Sequence, residues 1–60
     1  MSVEVALIRT EIFNLNRALD RCEQHYRRAT GDARYRYYAR LLSLEIRISR
    51  LTDRLLHSNR

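Results

Sequence analysis

The sequence predicts an all-α fold, an antiparallel helical hairpin that dimerises into a four-helix bundle, and three observations lead to it. The 60 residues contain one glycine and no proline, so the chain lacks the turn formers that a sheet of several strands needs. The two long segments on either side of that glycine carry apolar residues at alternating spacings of three and four, which is typical of a helical seam. The glycine lies midway along the chain, where two such helices would reverse direction.

The first helix is expected at about residues 3–29. Its apolar seam runs through four heptads without a break and consists of Val5, Ile8, Ile12, Leu15, Leu19, Cys22, Tyr26 and Ala29. Glu4 lies in the first turn of this helix, and Arg27 and Arg28 lie in the last. Their charges complement the helix dipole at each end, which supports these bounds.

The turn is expected at residues 30–32 and the second helix at about residues 33–57. Gly31 falls where a left-handed residue commonly ends a helix, and Asp32 is a favourable N-cap for the next one. The second seam consists of Tyr37, Leu41, Leu44, Ile48, Leu51, Leu55 and Ser58. Because the two seams have similar lengths and can face each other, residues 1–60 are predicted to form a single domain.

Apolar residues outside the seams predict a homodimer. They are Val3, Ala6, Leu7 and Phe13 in the first helix, and Tyr38, Ala39, Leu42, Ile46 and Leu56 in the second. One hairpin cannot cover both the seams and this set, and a domain of this size buries little surface by itself. Two copies related by a two-fold axis would cover both as a four-helix bundle. A tetramer or a different partner chain stays open as an alternative.

A row of arginines beside the second seam is the main indication of function. It consists of Arg36, Arg40, Ser43, Arg47, Arg50, Arg54 and His57. The first helix carries a weaker row at the same spacing, which consists of Thr10, Asn14, Arg17, Arg21, Gln24 and Arg28. All 12 basic residues are arginine and the net charge is +5. Such an excess of positive charge favours a polyanionic partner.

Arginines at this spacing suit the phosphates of a nucleic-acid duplex. Each guanidinium donates two hydrogen bonds in a planar fork and stays charged at physiological pH. Placed about 5–6 Å apart on one helix, such groups can follow a row of phosphates without reading bases. A flat helical face favours double-stranded RNA, which proteins recognise by shape across its wide minor groove. The predicted RNA-contacting residues are Arg36, Arg40, Ser43, Arg47, Arg50, Arg54, Arg17, Arg21, Arg28 and Asn14.

Other interpretations of the arginine row stay open. The arginines would instead flank a coiled coil if they paired with acids such as Glu4, Glu11 and Glu23, although seven acids cannot neutralise 12 arginines. The bundle would then be a protein-interaction or assembly module that binds no nucleic acid. A DNA-binding regulator, a basic amphipathic helix on a membrane surface and a codon bias without function are further alternatives.

Two smaller groups of residues carry weaker indications. The four tyrosines lie within residues 26–38 with arginines between them, and they either close the end of the bundle or stack on bases. Cys22 and His25 share a helix face, so a dimer could offer four ligands to zinc. Because Cys22 lies on the seam, where a small buried thiol is ordinary, we predict no metal site and no cofactor.

The remaining features of the sequence predict a binding protein without enzymatic activity. The chain contains no nucleophile with a base and an orienting group, and no glycine-rich phosphate loop. It has no apolar run long enough to span a bilayer and no signal-peptide pattern, so we predict no membrane partner. A bundle this small has no room for a water-excluding pocket, so we predict no small-molecule substrate. With its single cysteine, the chain is expected in a reducing compartment, the cytoplasm.

In its layout, the chain resembles two groups of dimeric helical-hairpin RNA binders. One group is the nodavirus RNA-silencing suppressors, which lie along double-stranded RNA, and the other is the Rop-like bundles of plasmids, which bind paired RNA loops. The resemblance covers the topology of the whole chain and includes no residue-level motif. It implies that a charged face of the bundle meets structured RNA. For the viral group it also implies suppression of RNA silencing in the cytoplasm of a host cell.

Overall fold

The computed structural model describes residues 3–58, which form two α-helices with a short connection between them. Helix α1 comprises Val3–Arg28, and helix α2 comprises Gly31–Ser58. The helices pack against each other as an antiparallel hairpin that measures 45 × 14 × 11 Å between its Cα extremes. The predicted all-α hairpin is therefore confirmed, and the described residues contain no β-strand.

The core of the hairpin lies between the two predicted seams. Its most buried side chains are those of Val5, Ile8, Leu15, Cys22, Leu41 and Leu44, each at most 8% exposed. The remaining seam positions are half-buried, except for Ser58, which is exposed at the end of α2. Residues spaced by three and four thus occupy one stripe on each helix, and each stripe is buried against the other.

The connection between the helices depends on Gly31. This residue has a φ of +62°, in the left-handed region where a Cβ atom is unfavourable. The backbone N–H of Ala29 donates to the carbonyl oxygens of His25 and Tyr26, which closes the end of α1. Helix α1 ends one residue earlier than the sequence predicts, and α2 begins at Gly31 rather than at Ala33. The left-handed residue therefore opens α2 directly, and Ala29 and Thr30 form the connection between the two helices.

Replacing Gly31 by alanine should lower the free energy of unfolding by about 1 kcal/mol. A left-handed conformation costs an L-residue about 1–2 kcal/mol, and the reduced freedom of the unfolded chain offsets part of this cost. A Cβ atom at this position would meet nothing within 4 Å, so no steric clash adds to the backbone strain. Thermal unfolding followed by circular dichroism measures the loss. Gly31→Asn is the control and should be closer to the wild type, since asparagine tolerates this conformation.

The apolar residues outside the seams are exposed on the hairpin, as the sequence predicts. Val3 is 76% exposed, Phe13 60% and Leu56 61%, and all other members of the set are exposed as well. A contact between two helices covers one stripe on each, so this second set remains uncovered.

Neither described helix has a stretch long and apolar enough to cross a lipid bilayer.

Candidate nucleic-acid interface

The hairpin has two broad faces that differ in charge. In an antiparallel pair of helices whose seams face each other, residues at the same angle from the seam on both helices lie on the same side. Each seam contains pairs of residues that lie three positions apart. On both helices, the positions one and five before the first residue of such a pair lie on one side of the hairpin, which has the shape of a plate. The positions one and five after the second residue of such a pair lie on the opposite side. Each residue beside a seam therefore belongs to one of two faces, whose charges differ.

We call one side the arginine face, defined by its residues on both helices. It consists of Glu4, Leu7, Glu11, Asn14, Ala18, Arg21, His25 and Arg28 of α1, and Ala33, Arg36, Arg40, Ser43, Arg47, Arg50, Arg54 and His57 of α2. All of these residues are exposed except the two alanines, which are half-buried. The face carries seven arginines and two acids, so its net charge is +5 with the histidines neutral.

We call the opposite side the mixed face. It consists of Ala6, Arg9, Phe13, Asn16, Asp20, Glu23 and Arg27 of α1, and Tyr35, Tyr38, Leu42, Glu45, Ser49, Thr52 and Leu56 of α2. Two arginines and three acids give this face a net charge of −1. The charge of the described residues is therefore segregated to one side of the plate, which a uniform excess of arginine would not produce.

A groove on the arginine face brings side chains of both helices together near the turn. Arg21 and His25 of α1 and Arg40 of α2 line it, with Cys22 and Tyr37 also in its wall. The ring of His25 stacks on that of Tyr37, with 5.4 Å between the centroids and 13° between the planes. Two guanidinium groups from different helices thus flank one depression, where a single phosphate could accept hydrogen bonds from both.

One ion pair lies on the arginine face, at the end remote from the turn. Nη2 of Arg54 lies 3.3 Å from Oε1 of Glu4, and no other described residues form an ion pair within 4.0 Å. Both side chains are more than 60% exposed, so the pair contributes at most about 1 kcal/mol. Glu11, the second acid of this face, lies one heptad closer to the turn than Glu4. Both acids therefore lie in the remote half, whereas the half near the turn has arginines and no acid.

Nine of the ten predicted RNA-contacting residues lie on the arginine face, and all ten are exposed. The exception is Arg17, which lies on the outer edge of α1 together with Thr10 and Gln24. The guanidinium carbon of Arg17 lies 5.9 Å from the ring centroid of Phe13, and the hydroxyl of Thr10 donates to the carbonyl oxygen of Ala6. The weaker row predicted on α1 is thus divided between the arginine face and the edge.

His25 is a candidate contact that the sequence interpretation considered only as a zinc ligand and did not include among the RNA-contacting residues. In the structure it lines the same groove as Arg21 and Arg40. The signal for this placement was its position three residues after Cys22 and one before Tyr26, which puts it beside the seam on the same side as Arg40. The described residues contain no group of three or more histidine, cysteine or acidic side chains that could hold a metal ion.

The tyrosines near the turn form a separate cleft at the end of the hairpin. Tyr26, Gly31, Arg34, Tyr35 and Tyr38 line a cavity of about 360 Å³. The guanidinium carbon of Arg34 lies 4.6 Å from the ring centroid of Tyr26, and Nη2 of Arg34 donates to the Tyr26 hydroxyl at 3.4 Å. Tyr26 and Tyr37 pack against the buried core, whereas Tyr35 is 77% exposed. Two of the four tyrosines therefore close the core, and two are accessible.

No protein-family model, curated protein or solved structure matches the chain. The assignment of function consequently rests on the geometry and charge of the described residues. What this geometry offers is a plate of two helices with one strongly cationic side, on which the arginines follow the long axis of the hairpin.

Proposed function

We propose that the chain binds double-stranded RNA along the arginine face, through phosphates and ribose and without sequence preference. The observation that carries the proposal is the segregation of charge, +5 on one face against −1 on the other. Only Arg54 of the seven arginines on that face is paired with a carboxylate of the described residues. The other guanidinium groups are exposed and can donate to phosphates.

The dimensions of the arginine face favour RNA over DNA. Reading bases in B-DNA requires an element that enters a major groove about 12 Å wide. The plate measures about 14 Å across its two helices between Cα atoms alone, so its broad side lies over a groove rather than in it. Such a surface suits the wide, shallow minor groove of an A-form duplex. Its length of 45 Å corresponds to about 16 base pairs, a span over which other domains contact two successive minor grooves.

Two polar residues add a contact that depends on ribose. Asn14 of α1 and Ser43 of α2 lie in the middle of the arginine face, and both are exposed. Their side chains can donate to and accept from 2′-hydroxyls, which DNA lacks. A face that combines these two residues with its arginines would therefore bind an RNA duplex more tightly than a DNA duplex of the same length.

Binding to a duplex of about 16 base pairs, measured by fluorescence anisotropy at several salt concentrations, tests the proposal. We expect duplex RNA to bind more tightly than duplex DNA or single-stranded RNA, and with little dependence on sequence. The logarithm of the association constant should fall with the logarithm of salt concentration by about 0.7–0.9 for each phosphate contacted. Affinity that does not change with salt, or equal affinity for all three nucleic acids, would contradict the proposal.

We further propose that the binding unit is a homodimer and that coating the duplex is its biological effect. The exposed apolar residues of the mixed face supply the surface for self-association, as the bundle predicted from the sequence requires. A protein that covers duplex RNA without sequence preference would shield it from proteins that cleave or sense such duplexes. This is the activity expected of a viral suppressor of RNA silencing, and it places the protein in the cytoplasm of a host cell.

The exposed apolar side chains also favour a second candidate function, a protein-interaction or assembly module. Leu42 is 44% exposed and Ile46 is 52% exposed, so the mixed face and the edge of α2 could receive helices of another protein. This function requires a specific protein partner and gives no retention on RNA. The binding series described above distinguishes the two functions directly.

A further inference from the structure

We propose that two copies of the chain join through their mixed faces, so that the dimer carries two arginine faces directed in opposite directions and bridges two RNA duplexes. The inference rests on the proposed RNA binding and adds its stoichiometry and geometry. It differs from an arrangement in which both copies contribute arginines to one continuous surface along a single duplex.

Charge decides which face a second copy can cover. Two arginine faces in contact would oppose one net charge of +5 to another, which is strongly repulsive once water is excluded. The mixed face has a net charge of −1, with two arginines and three acids, so an equivalent face can meet it with opposite charges paired. The exposed aromatic side chains of this face, Phe13 and Tyr38, are also of a kind that is enriched at protein interfaces.

The mixed face has the apolar content and the size that a dimer needs. Phe13 of α1 is 60% exposed, and Tyr38, Leu42 and Leu56 of α2 are 49%, 44% and 61% exposed. Apolar groups left in water on one side of a plate mark a surface that another protein covers. A face of 45 by 14 Å between Cα extremes, enlarged by its side chains, approaches the roughly 800 Å² per partner that standard interfaces bury.

The direction of the arginine faces follows from the shape of the hairpin. The two broad faces lie on opposite sides of a plate that is 11 Å thick between Cα extremes. If two plates stack through one broad side, the other broad side of each points outward, away from its counterpart. The dimer therefore has two separate cationic surfaces with four helices between them. One straight duplex cannot lie on both, so each surface binds its own.

A sandwich capture experiment with the full chain tests this inference. An immobilised RNA duplex of about 16 base pairs is incubated with the wild-type protein and a second, fluorescent duplex that carries no immobilisation tag. We expect the protein to retain the fluorescent duplex, with a signal that rises with protein concentration and falls again when protein is in excess. Sedimentation of the complex should show two duplexes per dimer.

Each other outcome of this experiment overturns the inference and identifies which step failed. If the immobilised duplex binds protein but captures no second duplex, or if sedimentation gives one duplex per dimer, RNA binding stands and the opposed faces are wrong. If the protein forms ever larger assemblies as its concentration rises, RNA binding likewise stands and the opposed faces are wrong. If the immobilised duplex binds no protein, the proposed RNA binding itself fails.

A matched pair of variants locates the dimer interface. Leu42→Asp places a charge on the mixed face and should halve the mass measured by light scattering. It should also reduce capture of the second duplex at least about tenfold, while one duplex is still bound. Leu7→Asp makes the same change on the arginine face, where Leu7 is 65% exposed, and should retain the dimer mass. Unchanged mass for Leu42→Asp would overturn the inference. If this variant lacks the circular dichroism of a helical protein, capture of the second duplex by the wild type alone decides whether the inference stands.

Discussion

Replacing Arg40 and Arg47 together by glutamine should weaken binding to duplex RNA by about 30- to 150-fold at moderate salt. Both side chains are exposed on the arginine face, and neither forms an ion pair with another described residue. A hydrogen bond that replaces one to water contributes about 0.5–1.5 kcal/mol; taking the upper half of this range, about 1–1.5 kcal/mol for each exposed guanidinium, two such losses give the stated change in affinity. Glutamine keeps the helix propensity and most of the length of arginine, so the loss reports on charge.

The matched control for this pair lies on the other side of the plate. Arg9→Gln together with Arg27→Gln removes the same charge from the mixed face, where both residues are also exposed. Binding should stay within about threefold of the wild type, since these side chains do not face the duplex and the long-range effect of net charge is screened by salt. The slope of affinity against salt should decrease for the first pair by about 1.4–1.8 and remain unchanged for the second. Equal losses for both pairs would show that binding follows net charge rather than the arginine face.

Replacing Leu44 by alanine should unfold a large fraction of the protein at room temperature. Leu44 is 8% exposed and belongs to the core cluster with Leu15, Cys22 and Leu41. Truncation of a buried leucine to alanine costs about 2–5 kcal/mol, and a hydrophobic core in a domain this small supplies about 3–5 kcal/mol. The cost is therefore close to the whole stability. Thermal unfolding followed by far-ultraviolet circular dichroism should show a strong loss of helix and a lower midpoint.

Leu7→Ala is the control for this truncation. Leu7 is 65% exposed, so the same chemical change removes little buried surface and should alter stability by no more than about 0.5 kcal/mol. Both variants should be compared at equal protein concentration, because a dimer unfolds at a concentration-dependent temperature. Similar midpoints for the two variants would contradict the assignment of Leu44 to the core.

The helices and the buried stripe of this protein could be predicted from the sequence because both depend on local spacing. Leu15 and Leu41 are buried because each belongs to a stripe of apolar residues spaced by three and four along its helix, and this stripe packs against the other helix. The turn could be predicted for a similar reason. Gly31 is the single glycine, and it adopts the left-handed conformation that other residues avoid. The bounds were less certain, because the residues at helix ends differ little in energy between helix and turn.

The candidate site could be predicted only in part. The arginine row of α2 lies on one side of the hairpin as its spacing indicates, but the row of α1 does not stay on that side. Arg21 and Arg28 face the same way as Arg40, whereas Arg17 lies on the edge beside Phe13. Spacing places residues around one helix axis, and their relation to a second axis follows only once the two seams pack against each other. Which residues of α1 join those of α2 depends on how the two helices pack.

The sequence by itself determined that this chain forms two amphipathic helices joined near Gly31, and which stripe of each is buried. The tertiary structure decided which charges share a side. It placed seven arginines on one face and left the opposite face almost neutral and partly apolar, and it brought Arg21 and His25 of α1 into one groove with Arg40 of α2. The physical reason is that the apolar stripe that a helix can bury follows from spacing along that one helix. A binding surface, by contrast, is shared by side chains from two helices and exists only once they have packed.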